Sequence, residues 1–135
     1  MSGQALKSPK EFFGYEIGEE FTYHHQMVSY FEHVASVCPH VQLRHYGKST
    51  ERRPLIYAVI SAEKNLLELE KYRQGNLIHA GFMKGDKNAP QMPIIWLSYN
   101  VHGNEASGME AAILTLYALA KREKPEINDW LEHLI

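Results

Sequence analysis

The stretch from Pro93 to Gly108 constrains this chain more than any other. Ile94-Ile95-Trp96-Leu97 opens an apolar, β-branched run that reaches Val101, and polar His102-Gly103-Asn104-Glu105 ends it abruptly. An Ala/Leu-rich pattern with helical spacing starts at once. Strand, turn and helix in that order belong to α/β sheets, where ligands and catalytic groups collect at the strand ends. If Val101 closes a buried strand, His102 projects from its edge and Gly103 permits a tight turn. Glu105 then falls in the first helical turn, where the macrodipole favours a carboxylate. A three-residue separation across such a turn lets imidazole and carboxylate converge on one point. Zinc takes both as ligands, at about 2.0–2.2 Å, and a catalytic zinc usually has three protein ligands and an open position for water. His102 and Glu105 are therefore candidate metal ligands, two of a set of three. His-x-x-Glu also arises by chance, with Glu105 only a dipole partner and His102 only a turn residue. The order of elements around it is the context that such a motif needs.

The rest of the sequence narrows the class. A length of 135 residues suits one domain, and 44% hydrophobic with 22% charged residues is ordinary for a globular protein. A formal net charge of −2 gives no overall attraction to nucleic acid or anionic membrane. No apolar run approaches the roughly 20 residues that span a bilayer. Cys38 is the single cysteine, which excludes an intrachain disulfide and a thiolate cluster. The start, Met1 to Lys10, lacks the apolar core of a secretory signal. A cytosolic protein and a chain whose signal has been replaced by a short leader both fit.

Taken in order, residues 1–26 read as a loosely structured arm, punctuated by Pro9, Gly14 and Gly18 and carrying apolar anchors at Phe12, Phe13, Tyr15, Ile17 and Phe21. The main body is expected over 27–135. Thr22 is a plausible cap for a helix with Met27, Tyr30, Phe31, Val34 and Ala35 on one face, ended by Cys38-Pro39. Val41 to Tyr46 alternates, and Leu55 to Ile60 is a nearly continuous apolar run. With the polar turn Gly47–Pro54 between them, the two should pair antiparallel. The Lys48/Arg52/Arg53 cluster lacks a glycine-rich cradle and reads as solvated loop charge. Asn65 is expected to cap a helix to about Gln74, with a loop over 75–92. Ile94 to Val101 is the predicted third strand. A helix from Glu105 to about Arg122 should bury Met109, Ala112, Ile113, Leu116 and Ala120, with Leu114, Tyr117 and Leu119 widening its apolar sector so that it is buried on more than one side. Pro125 separates it from a last helical stretch with Ile127, Trp130, Leu131 and Leu134 apolar.

Three segments resemble the zinc carboxypeptidase family of metallopeptidases. Gly47-Lys48-Ser49-Thr50-Glu51-Arg52-Arg53-Pro54-Leu55 is similar to the family's G-x-S-x-E-G-R-P-L hairpin, and Ile60-Ser61 to the I-S that follows it. His102-Gly103-Asn104-Glu105 matches the H-x-x-E zinc motif, and Glu110-Ala111-Ala112 with the apolar positions beyond it matches the segment after that motif. The arm around Phe13-Gly14-Tyr15 and Phe21 is similar to a bacterial branch of the class. The similarity spans nearly all of residues 12–135.

The resemblance implies an α/β fold, a mixed sheet flanked by helices, present as an N-terminal portion with about three readable strands of about eight. It implies a zinc ion that polarises a scissile carbonyl and acidifies water, a glutamate base, and a peptide substrate held by its free C-terminus. In the family the third zinc ligand (a histidine), the base and the carboxylate-binding groups come later in the chain. On that pattern no catalytic residue is expected within this span, and His133, in a helical setting, fits the third-ligand motif poorly. Many bacterial relatives look exported, and the leader-like start allows a removed signal and with it a secreted or periplasmic location. Two positions depart from the pattern. Arg52 stands where the family usually has glycine, which bears on the turn. Asn104 stands where digestive carboxypeptidases carry an arginine that helps line a substrate subsite, which makes Asn104 a candidate substrate-binding residue and opens the question of specificity. H-G-N-E is also the form seen in zinc amidohydrolases that deacylate N-acyl amino acids, resembling aspartoacylase and succinylglutamate desuccinylase. Those lack the hairpin and the aromatic arm. A metal-free pseudo-peptidase binding module is the third reading.

Overall fold

A computed structural model of the protein describes residues 5–135. The elements run α1 (Pro9–Phe13), α2 (His24–Val37), β1 (Val41–Lys48), β2 (Pro54–Ile60), α3 (Glu63–Leu67), α4 (Leu69–His79), α5 (Ala106–Lys121) and α6 (Pro125–His133). Its α/β character agrees with expectation. The predicted hairpin forms, with Val41 opposite Ile60 and Lys48 opposite Pro54 in an antiparallel pair. The register slips between His45 and Gly47, so Tyr46 is the extra residue of a bulge. In the connecting turn Arg52 adopts φ 62°, a left-handed conformation that glycine enters without a Cβ penalty. Arg52 thus adds strain at the position where the hairpin pattern it resembles has glycine.

The core lies where α2 crosses α5 above β1. Tyr30 and Val34 of α2, Val41 of β1, and Ile113, Leu116 and Ala120 of α5 form one buried cluster with Cys38. Spacings of three and four residues put each helix's contributors on one face, as the sequence pattern requires. Leu114 departs from expectation. It is 48% exposed, so α5 buries a single stripe and leaves part of its apolar sector in solvent.

Residues 1–4 of the arm lie outside the described residues; residues 5–26 carry defined local structure. Ser8 and Glu11 close a reciprocal capping box on α1, with Ser8 N–H donating to Glu11 Oε2 at 2.8 Å and Glu11 N–H to Ser8 Oγ at 3.3 Å. Phe12 then meets the Tyr30 ring edge-on at 5.1 Å. Farther back, Lys7 is clamped at both backbone groups. Its N–H donates to His33 Nε2 at 3.0 Å, and its carbonyl accepts from Tyr30 Oη at 3.0 Å. Tyr23, not Thr22, caps α2, because Thr22 is buried and engaged elsewhere.

His33 and His40 are both buried, and burial lowers the pKa of each ring. His33 has to stay neutral to accept from Lys7. The unfolded chain therefore binds protons before the folded one does. Stability is at its full value above the ordinary histidine pKa of about 6.5 and falls as pH descends through the lower folded values. The melting temperature is expected to drop between pH 7 and pH 5, with the His33 and His40 ring resonances titrating below those of exposed histidines. Ring titration at or above the ordinary value would contradict this.

Three expectations are corrected in the second half. Asn65 does not cap a helix. α3 starts after Ala62, and Asn65 is buried, donating to the carbonyls of Leu131 at 3.0 Å and Glu132 at 3.2 Å and to Ser61 Oγ at 3.0 Å. Ser61 Oγ contacts the Leu131 and Leu134 carbonyl oxygens as well, and Ala62 N–H donates to Leu131 O, so the corner after β2 is tied to the end of α6. Helix α4 also outlasts its predicted end, passing Gly75 to reach His79. Gly75 packs so closely on the Pro90 carbonyl that a Cβ there would overlap it.

The third strand is the larger correction. Ile94–Val101 runs without a ladder, and the sheet among the described residues is two-stranded and antiparallel, not a mixed sheet of three. Asn76 brackets the entry to this segment, donating to Met92 O at 2.7 Å and accepting from Met92 N at 3.0 Å. Ile95 N–H then donates to Ile135 O, and Ile135 N–H to Pro93 O. Beyond that the backbone has no neighbouring strand among the described residues, and Ile94, Ile95, Trp96 and Leu97 are 54–75% exposed. The composition is that of a buried strand, but a strand also needs an edge to pair with.

Candidate metal centre

Helix α5 and the turn before it build the site. Val34, Tyr30 and Val41 pin α5 through Ile113 and Leu116, which fixes the position of its first turn. The arm adds a second hold. Thr22 N–H and Oγ donate to Glu110 Oε1 at 3.2 and 3.3 Å, and Tyr15 Oη donates to Thr22 Oγ at 3.0 Å. Glu110, part of the segment that follows the candidate ligands, thus faces the arm.

The turn folds back on that helix. Asn100 takes a left-handed φ of 57°, and Tyr99 Oη donates to Thr115 Oγ1 at 2.9 Å. Glu105 N–H donates to His102 O at 3.1 Å, and Gly108 N–H to Glu105 O at 3.2 Å. Those bonds close two successive four-residue turns and place both candidate side chains on one side. His102 Nδ1 lies 3.1 Å from Glu105 Oε1. Two ligands at tetrahedral angles about a zinc ion stand about 3.4 Å apart, given bonds of 2.0–2.2 Å. Imidazole nitrogen and carboxylate oxygen are a donor set that zinc accepts, so the pair fits the ion in chemistry and in spacing. Both side chains are largely exposed, at 69% and 60%, which leaves the space in front of them open.

The other sequence-predicted residues separate from this point. Asn104 is exposed and lies between the two candidate ligands in sequence. His133 sits at the end of α6 with Nδ1 hydrogen-bonded to Asp129 O at 2.9 Å. Among the described residues no three of His, Cys, Asp and Glu gather where they could hold a metal. Glu105 also departs from the expectation of first-turn placement. It is the residue before α5, so its carboxylate stands at the mouth of the helix.

A family model described as zinc carboxypeptidase matches residues 27–135. This chain belongs to the zinc carboxypeptidase family. The match begins in α2 and takes in the hairpin, the exposed apolar segment, the His102–Glu105 turn and both final helices. Zinc-peptidase-type hydrolysis is the chemistry of that family. Comparison with curated proteins and with solved structures yields no match. Sequence reasoning missed one contributor to this zinc carboxypeptidase turn. Gly108 packs against the Asn100 backbone, and a glycine inside an otherwise Ala/Leu-rich helix was the available signal.

Proposed function

We propose that this chain supplies two zinc ligands, His102 and Glu105, to a hydrolase that removes C-terminal residues from peptides. The observation that carries the reading is the approach of His102 Nδ1 and Glu105 Oε1 to 3.1 Å at the mouth of α5, in a chain of the zinc carboxypeptidase family. Zinc bound there would act as a Lewis acid and lower the pKa of a water ligand. The chain's own contribution is positional. The Glu105–His102 and Gly108–Glu105 backbone bonds hold the donors together, and α5 anchors them to the core. To hold the ion, the imidazole would have to present Nδ1 free of hydrogen and Glu105 its carboxylate form, so zinc would compete with protons for both groups. A third protein ligand and a general base complete the reading, and the group around His102 does not include them among the described residues.

This chain alone is expected to bind zinc weakly and to show no peptidase activity. Equilibrium dialysis should show binding that His102→Ala and Glu105→Ala each abolish, with unfolding midpoints unchanged because both side chains are exposed. Tight stoichiometric binding would overturn the expectation of weak binding, and binding indifferent to either substitution would refute the ligand assignment. With the complete catalytic constellation, turnover of blocked dipeptides supports the carboxypeptidase reading. Exclusive turnover of N-acyl amino acids would replace it with an amidohydrolase.

A further inference from the structure

We propose that Gly108 is a positioning residue for the His102–Glu105 pair, acting through its contact with the Asn100 backbone. As a statement about metal binding this rests on the zinc reading above; as a statement about the turn it does not. A Cβ built at Gly108 would lie 3.1 Å from Asn100 N and 3.4 Å from Asn100 Cα, closer than side chains normally approach backbone. The atoms in the way are main-chain, so no rotamer change relieves the contact. Asn100 is two residues before His102, and Gly108 is three residues after Glu105. The contact therefore closes the base of the loop that carries both donors.

What Gly108 permits is local. One side of the loop is tied to α5 by the Tyr99–Thr115 hydrogen bond, and the other side is the start of α5 itself. Adding a methyl group at position 108 wedges these two sides apart by a few tenths of an ångström, and a branched side chain wedges them farther. His102 rides on the displaced side while Glu105 stays with the helix. Their donor separation, now 3.1 Å, is the quantity that opens.

Alanine is intrinsically a better helix former than glycine, so helix propensity alone predicts that Gly108→Ala leaves α5 as stable or more so. The positioning role predicts the opposite sign at the turn. That crossed pattern separates the two.

The test starts with metal-free chain, followed by NMR. In Gly108→Ala, and more so in Gly108→Val, the Glu105 amide that donates to His102 O is expected to lose protection against exchange by about tenfold. Amides in the second half of α5 keep theirs. Ala111→Gly, at an exposed position one turn on, serves as the control that weakens the helix without touching Asn100. Unchanged exchange at Glu105 in both Gly108 variants overturns the proposal. So does a loss spread evenly along α5, as in the control. Zinc titration then follows in the same proteins. A wild type that binds through His102, with Gly108→Ala binding at least fivefold more weakly, supports it, whereas equal affinity overturns it. If the wild type takes no zinc while the Glu105 amide still responds, the metal assignment falls and the positioning role stands.

Discussion

Ile113→Ala is expected to lower the unfolding free energy by about 2–5 kcal/mol, the range for emptying a buried aliphatic position. Ile113 is completely inaccessible and lies in the cluster that joins α5 to Tyr30 and Val34. Helix α2 cannot collapse into the gap freely, since Lys7, Phe12 and β1 hold it from the other side. Urea unfolding should show a lower midpoint with an unchanged slope. Leu114→Ala, next in sequence and half exposed, should change stability by about 0.5 kcal/mol or less. A loss below about 1 kcal/mol at Ile113 would mean that the α2–α5 contact does not anchor the metal-site helix.

The second large effect concerns association. Ile94–Leu97 is apolar and exposed, and among the described residues neither outer edge of the hairpin has a strand partner. Unprotected edges and β-branched segments of low charge pair with whatever edge is offered, including another copy. In sedimentation this chain is expected to self-associate with rising concentration, and Ile95→Lys with Leu97→Lys is expected to leave it monomeric. Lysine in an exposed strand-like segment is a recognised guard against edge pairing. A wild type that stays monomeric at high concentration, or a double variant that associates equally, would show that this surface is inert.

What the sequence disclosed follows from the range of the forces involved. Helices α2 and α5 were legible because their apolar stripes are local patterns, and the β1–β2 hairpin because its turn is short and its strands adjacent. The proximity of His102 and Glu105 was legible for the same reason, being confined to one turn. Asn65 was misread because its partners, Leu131 and Glu132, lie at the far end of the chain, and a residue type favoured at caps is equally suited to a buried network. Thr22 failed as a cap through the same cause, since Glu110 claims it. Ile94–Val101 shows the reverse case. Its local pattern is that of a strand, but pairing is a property of two segments, and one segment's composition cannot supply the other.

The bonds between Ser61, Ala62 or Asn65 and Leu131, Glu132 or Leu134 also order events in time. Their partners lie 66–73 residues apart along the chain. At translation rates of about 5–20 residues per second, roughly 4–14 s separate synthesis of the two sides. The hairpin can close early, from neighbouring residues alone. The corner that follows it has to wait, with the Asn65 amide still hydrated, until α6 emerges. During synthesis that corner is a seam left open for seconds, and a ribosome-bound chain stalled before Leu131 should remain cleavable by protease there after its hairpin has become resistant.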